Sequence, residues 1–336
     1  MSGGVDSTAA AILMQREGYD CACALMTLRP GEETGEADAR RAAKQLGLPF
    51  FVFDFSEAFE ERVINRFVSA YNEGRTPNPC VDCNKHIKFG ELLQKSLELG
   101  NNCLATGHYA RVERGADARF LLKKGADAAK DQSYVLYSLT QQQLAHIHFP
   151  LGGLSKTQVR LLVSDAGLQN ADKSESQDIC FVPDGDYAGF IIMHTGIQPR
   201  KGQFVDTEGN TLGENRGIVR YTIGQRRGLG LSMPYPPYVL ALRPEDDTVV
   251  VGKNEMLYSK RLYARDINLI PFDNLNSPVK ARVKIRYKHT EQPAMVHQTG
   301  EDTLLIEFDE PQRAITGGQA AVIYDGDIVI GGGTIQ

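Results

Sequence analysis

Strand-like apolar runs alternate with helix-patterned segments through the first hundred residues of the chain. SGGVDS leads into TAAAILMQREG, which is helical in propensity and stops at Gly18. CACALMTL reads as a buried strand, EADARRAAKQLG as a helix, and FFVFDF as the next strand. Helices are expected over about 57–71 and 85–99, and NNCLATGHYA supplies a further strand. Such a βαβα succession folds as a parallel sheet with helices on both faces, and ligands then sit at the carboxyl ends of the strands. The SGGVDS turn, the RTPNPCVDCN loop and the TGHY end are therefore expected to share one crevice.

The texture changes near residue 185, where short strands and Gly/Asp/Asn turns replace helical periodicity. KGQFVDTEGNTLGE and YVLALRPEDDTVVVG read as hairpins, and VKARVKIRYKH, DTLLIEFDE and AAVIYDGDIVIGGG as strands of a second β unit. The expected division is an α/β domain over 1–187, a small β domain over 188–258 and a further β domain over 259–336. A content of 42% hydrophobic and 24% charged residues is that of a globular protein. No apolar run reaches the ~18 residues a membrane helix needs, and the first residues lack a signal-peptide pattern. The formal charge of −5 argues against indiscriminate nucleic-acid coating but leaves room for a local basic face.

SGGVDS lacks the Gly-Lys-Ser/Thr of a Walker A loop, yet its physics suits phosphate. Gly3 and Gly4 let successive N–H groups turn toward one anion, the next helix adds its N-terminal dipole, and Ser2 and Ser7 offer hydroxyls. Asp6 beside a phosphate makes sense with magnesium between them. The plainer reading is a glycine turn in which Asp6 or Ser7 caps the helix.

Six cysteines are too few for a disulfide scaffold in a chain of 336 residues. Cys21, Cys23 and Cys103 lie in apolar runs and read as small buried hydrophobes. Cys80 and Cys83 stand at CxxC spacing just before a helix, where the helix N-terminus, Lys85 and Lys88 would lower a thiol pKa. Cys180 ends the polar run DKSESQDIC. No second ligand pair suggests zinc, and His146 and His148 read as packing or solvated residues. Loop cysteines beside a nucleotide turn point to thiol chemistry.

Lys280, Arg282, Lys284, Arg286 and Lys288 recur at every second residue, which on a strand sets five cations on one face. A second cluster holds Arg216, Arg220, Arg226 and Arg227 around Tyr221. The choice is between solvated faces and a nucleic-acid surface, and two clusters on an acidic chain favour the latter. Lys130, Asp131 and Gln132 precede an apolar helix, where Asp131 reads as an N-cap.

Taken together, SGGVDS, GRTPNPCVDCNKHIKF, ATGHYAR, KDQSYVLY, DICF, YTIGQRRGLG, VKIRYKHT and GGQAAVIYDGD resemble the tRNA-specific 2-thiouridylases along essentially the whole chain. SGGVDS alone would mark only the wider ATP-pyrophosphatase superfamily. The resemblance implies a PP-loop α/β domain, a small central β domain and a C-terminal β-barrel. It implies ATP- and magnesium-dependent replacement of the 2-oxygen of the wobble uridine by sulfur in glutamate, lysine and glutamine tRNAs. Ser2, Gly3, Gly4, Val5, Asp6 and Ser7 would hold the ATP phosphates, with Met26 and Gly107 near the adenosine. Cys180 matches the persulfide carrier, charged by a sulfur-relay protein or cysteine desulfurase, and Cys83 the thiol that attacks it and leaves a disulfide. Asn78, Pro79 and Cys80 match the loop facing the target base. His108, Lys130, Asp131, Gln132, Arg286, Tyr287 and Gln319 match tRNA-contacting positions. A cytoplasmic enzyme of bacterial type, with no membrane partner, is implied.

One departure stands out. Many relatives carry aspartate, given an acid/base role, where this chain has Cys80, while others carry cysteine. With Cys80, Cys83 and Cys180 all present, a [4Fe–4S] cluster with one iron open to sulfide is an alternative to persulfide relay. Two rival functions also follow from the residues: a PP-loop ligase or amidating enzyme, and an RNA-binding protein with a vestigial nucleotide pocket. In the family a short apolar strand commonly precedes the SGGVDS motif. A first, central strand is therefore expected upstream of Met1, and about ten added residues are expected to improve folding and ATP binding.

Overall fold

A computed structural model describes residues 1–31, 35–168, 179–182 and 184–336. The polar run ahead of Cys180 lies largely outside the described residues. Strands Cys23–Thr27 and Phe50–Asp54 pair in parallel, from Cys23 opposite Phe50 to Thr27 opposite Asp54. Leu104–Ala105 and Ile147–His148 form a second parallel pair. Among the described residues no ladder joins the two pairs. The Met1 ammonium donates to the Ala24 carbonyl, and burial pulls its pKa down. FFVFDF forms the expected strand, with Phe51 and Val52 exposed; among the described residues it has a single ladder neighbour. Of the three cysteines read as buried, only Cys23 is; Cys21 and Cys103 are half-buried.

The helix Val5–Arg16 follows the glycine turn directly. Helical runs cover 56–72 and 79–98, with π-helical stretches at Glu60–Ile64 and Cys83–Leu92. The second run begins six residues earlier than the sequence pattern suggests, because Asn78 caps it and Pro79 supplies a preset first residue. Cys80 and Cys83 thus lie inside the helical run rather than ahead of it.

Both expected hairpins of the central unit form. Its sheet runs Thr211–Glu214, Gln203–Val205, Thr248–Gly252, Tyr238–Arg243, the middle two in parallel. In the last unit, six strands from Tyr258–Leu269 to Ile328–Ile335 close into a barrel, since these two also pair with each other. The hairpin of Ala110–Arg114 and Phe120–Lys124, part of the α/β half in sequence, continues the barrel sheet through Lys123 opposite Ile328.

The cores cross these units. Phe59, Phe67 and Tyr71 of the 56–72 helix pack with Phe181, Phe190, Phe204 and Val249, so the α/β and central units share one apolar cluster. Phe89 and Tyr134 pack with Val322 and Tyr324 of the barrel. Each such side chain contributes about 1.5–3 kcal/mol on burial, which fixes the units against one another. No helix among the described residues is long and apolar enough to cross a membrane.

Candidate nucleotide and thiol site

The SGGVDS turn ends in an uncapped helix. Gly4 is the N-cap and, among the described residues, no side-chain cap bond is made there, so neither Asp6 nor Ser7 caps the helix. Ser7 Oγ instead donates to the Gly4 carbonyl at 3.1 Å and accepts from the Ser2 amide at 3.1 Å. Gly3 takes φ +74°, and a Cβ there would lie 3.0 Å from Ala39 N and Gly35 O. Uncapped N–H groups at a helix N-terminus suit a phosphate, so the turn fits ATP.

Asp6 is held from two sides. Lys156 Nζ reaches its carboxylate oxygens at 2.7 and 2.9 Å, and Tyr109 Oη donates to Oδ1 at 2.8 Å. Lys156 begins the helix Lys156–Asp165, and its side chain is 12% exposed. This lysine escaped the sequence reading; LSKTQVR offered only a capped helix start. Asp6 is the carboxylate of the turn that would take a magnesium ion, with Lys156 and Tyr109 fixing its position. Gly107 sits against the same turn, since a Cβ on it would fall 2.6 Å from the Asp6 carbonyl carbon.

Met26, Cys83 and Ile179 each pack on the same apolar cluster, and the Cys180 thiol acts on Cys83. All six cysteines are thiols, and Cys80 and Cys180 are exposed. Thiol acidity runs opposite to the sequence expectation. Burial pushes Cys83 up to about 12; Lys88 pulls it down, while Cys180 and Cys80 add to the rise. Cys80, although solvent reaches it, is also raised by the protein packed around it, again with Lys88 opposing. The reason is that Cys83 sits within the helix against apolar neighbours, not at an open helix end. Lys88, rather than Lys85, is the cation that acts on both thiols.

Among the described residues, no three His, Cys, Asp or Glu side chains gather as a metal site. Cys80, Cys83 and Cys180 as placed do not fit an iron–sulfur cluster. Asn78 Oδ1 accepts from the Cys80 amide at 3.2 Å, fixing the turn that carries Pro79. The segment leading to it is clamped by the other two units. The Thr76 amide donates to Gly317 O at 2.9 Å, Gln319 Nε2 to Thr76 O at 2.7 Å, and Thr76 Oγ1 lies 3.0 Å from Thr222 Oγ1.

Several residues implied as RNA contacts face inward. His108 is buried between Phe89 and Phe149, 2.8 Å from Thr106 Oγ1, and burial lowers its pKa. Asp131 is also buried and accepts from the Gly125 and Ser133 amides, the second being close to the capping role read from sequence. Gln132 Oε1 accepts from the Tyr109 amide at 3.0 Å, and Lys130 is half-buried. Tyr287 is exposed, and its hydroxyl donates to Asp131 O at 3.3 Å. Arg286 donates to Arg313 O, while its Nε and His289 Nδ1 lack hydrogen-bond partners among the described residues.

The five-cation stripe does not form. The strand Val279–Lys284 ends before Arg286 and Lys288, Arg282 lies 3.7 Å from Glu291, and Lys284 lies 4.0 Å from Asp131. His146 bonds the Asn102 carbonyl and His148 packs edge-on against Tyr19, both structural roles.

Comparison with known proteins agrees with this architecture. Residues 1–184 match the family described as tRNA methyl transferase HUP domain, residues 190–253 its PRC-barrel domain, and residues 259–335 an aminomethyltransferase beta-barrel domain. The chain is 47% identical over 348 residues to the tRNA-specific 2-thiouridylase of Clostridioides difficile, covering all of this chain and 96% of that protein. It is 45% identical to the enzyme of the same name from Acetivibrio thermocellus, covering 98% of it, and 46% identical to that of Carboxydothermus hydrogenoformans, covering 96%.

Proposed function

Since this chain belongs to the family of tRNA-specific 2-thiouridylases, an enzyme class that transfers sulfur to tRNA, we propose that it thiolates the wobble uridine of glutamate, lysine and glutamine tRNAs in the cytoplasm. The observation that carries the reading is the line of contacts from the turn to the thiol-bearing helix: Gly107 lies against Asp6, and the adjacent His108 packs on Phe89 of the run that begins at Cys83. A nucleotide at Ser2–Ser7 would then lie near two thiols.

The base O2 attacks the α-phosphorus of ATP and pyrophosphate leaves, so a poor oxygen leaving group becomes AMP. Magnesium, when bound, shields the phosphate oxygens, with Asp6 as the carboxylate to hold it. Cys180 enters as a persulfide supplied by a sulfur-relay protein or desulfurase. The Cys83 thiolate attacks Cys180 Sγ, the Sγ–S bond breaks, hydrosulfide leaves, and a Cys83–Cys180 disulfide remains. Hydrosulfide adds to C2 of the activated base, its proton passes to solvent, and AMP departs with the former O2. A two-electron thiol reductant returns the disulfide to thiols. Asn78, Pro79 and Cys80 face the base, and the exposed Tyr287, with Arg286 beside it, meets the RNA. His108, Lys130, Asp131, Gln132 and Gln319 shape the surface behind them.

Pyrophosphate release from ATP that requires tRNA tests the reading. Release without tRNA, or with an amine acceptor instead, would favour a ligase. No release at all would favour a vestigial pocket.

Two further outcomes follow. Lys156→Ala leaves Asp6 uncompensated beside the phosphates, and the KM for ATP should rise about ten- to 100-fold, the range for a charged hydrogen bond. Lys156→Arg should recover part of the loss, and steady-state kinetics with varied ATP reads both. With its raised pKa, Cys83 is a thiol at neutral pH, so its thiolate fraction grows with alkalinity. Iodoacetamide labelling of Cys83 in tRNA-free enzyme should speed up about tenfold per unit between about pH 7 and pH 10, without a plateau. A plateau near the ordinary thiol range would contradict the burial argument.

A further inference from the structure

We propose that the cleft between the α/β unit and the central β unit binds a nucleotide flanking the target base, with Arg216 and Arg220 on its phosphates and Tyr187 beneath its base. The proposal rests on the tRNA-thiolating reading and adds a contact surface to it.

The cleft measures about 310 Å³ and is lined by Tyr71, Tyr187, Arg216, Arg220 and Thr222, with Asp186 at its edge. Tyr187 is half-buried and stacks on Tyr71, their ring centroids 6.0 Å apart at 28°. Such a pair offers a rigid aromatic platform on which a base of any identity can stack. The single carboxylate here is engaged, since Asp186 Oδ1 accepts from the Gly189 amide at 2.9 Å as a helix cap.

The charge argument separates this cleft from the barrel strand. Arg216, Arg220, Arg226 and Arg227 are all exposed, and among the described residues none makes an ion pair. On the barrel strand Arg282 and Lys284 already face Glu291 and Asp131. Unneutralised cations beside an aromatic pair are what a single-stranded polyanion with stacking bases recognises. A second recess of about 480 Å³, lined by Arg226, Met233 and Tyr235, adjoins it along the same loop, so the surface extends past one nucleotide.

Position ties the cleft to the chemistry. Thr222 in its wall meets Thr76, and Thr76 stands two residues before Asn78, which caps the helix bearing Cys80 and Cys83. An RNA strand whose target base enters the Asn78–Cys80 loop would pass this wall on leaving.

The test compares the parent enzyme with Arg216→Ala/Arg220→Ala by tRNA fluorescence anisotropy over a salt series. Losing two single-strand phosphate contacts should lower the slope of log affinity against log salt by about 1.4. Tyr187→Ala should weaken tRNA about five- to 100-fold, and Tyr187→Phe should keep the affinity. Arg282→Ala, whose guanidinium faces Glu291, should change the slope less. ATP affinity measured on each variant reports an intact fold. Unchanged tRNA affinity and slope in an enzyme that still thiolates would overturn the cleft alone. So would unchanged tRNA binding with impaired sulfur delivery from a donor protein, which would make the cleft a protein-docking surface. A parent enzyme that makes no 2-thiouridine, yet loses tRNA affinity with the arginines, would instead sink the functional reading.

Discussion

Cys83→Ser is expected to cut thiolation driven by a persulfide donor by about 10³-fold or more, while tRNA-dependent pyrophosphate release continues. A serine hydroxyl cannot attack Cys180 Sγ at neutral pH, so hydrosulfide is not freed. Activation of the base oxygen needs neither thiol, and the phosphate turn is untouched. Cys180→Ser should have the same size of effect by a different route, since no persulfide forms at all. The pair is separable by charging each variant with labelled sulfur: Cys83→Ser should retain it on Cys180, and Cys180→Ser should carry none there. Burial raises the Cys83 pKa, and Lys88 is the cation already placed to favour the thiolate. Thiolation at parental rates in either variant would end the relay mechanism.

Gly107→Ala should be the most damaging small change at the nucleotide turn. The added Cβ would sit 2.6 Å from the Asp6 carbonyl carbon, 2.8 Å from its oxygen and 2.9 Å from its Cβ. Two of these are backbone atoms in the first turn of a helix, so no side chain can swing aside. Overpacking of this kind costs about 1–3 kcal/mol, and here it also displaces Asp6 from Lys156 and Tyr109. We expect the KM for ATP to rise about 100-fold, with a lower unfolding midpoint. Gly153→Ala is the control, because a Cβ there meets nothing within 4 Å and the backbone is not left-handed. Equal ATP kinetics for the two variants would refute the close approach.

The glycine turn and the helix start after it were legible because they are local, and local sequence carries their physics. The strand–helix succession and the two central hairpins were legible for the same reason. Lys156 was not, since its partner Asp6 lies 150 residues away and only the fold brings them together. Thiol acidity misled for a related cause: lysines near in sequence suggested a lowered pKa, but the packing of Cys83 decides the sign. Alternation in VKARVKIRYKH implied a strand throughout, yet the ladder stops at Lys284 and Glu291 and Asp131 answer two of its charges. The junction of the 110–124 hairpin with the barrel had no sequence signal, because a single bridging pair leaves no pattern.

The most direct measurement is mass spectrometry of nucleosides from glutamate, lysine and glutamine tRNAs incubated with the enzyme, ATP, magnesium and a sulfur source. The expected result is 2-thiouridine at the wobble position, formed only with ATP and carrying the mass of one oxygen exchanged for sulfur. Unmodified uridine there, with ATP consumed or not, would contradict the account.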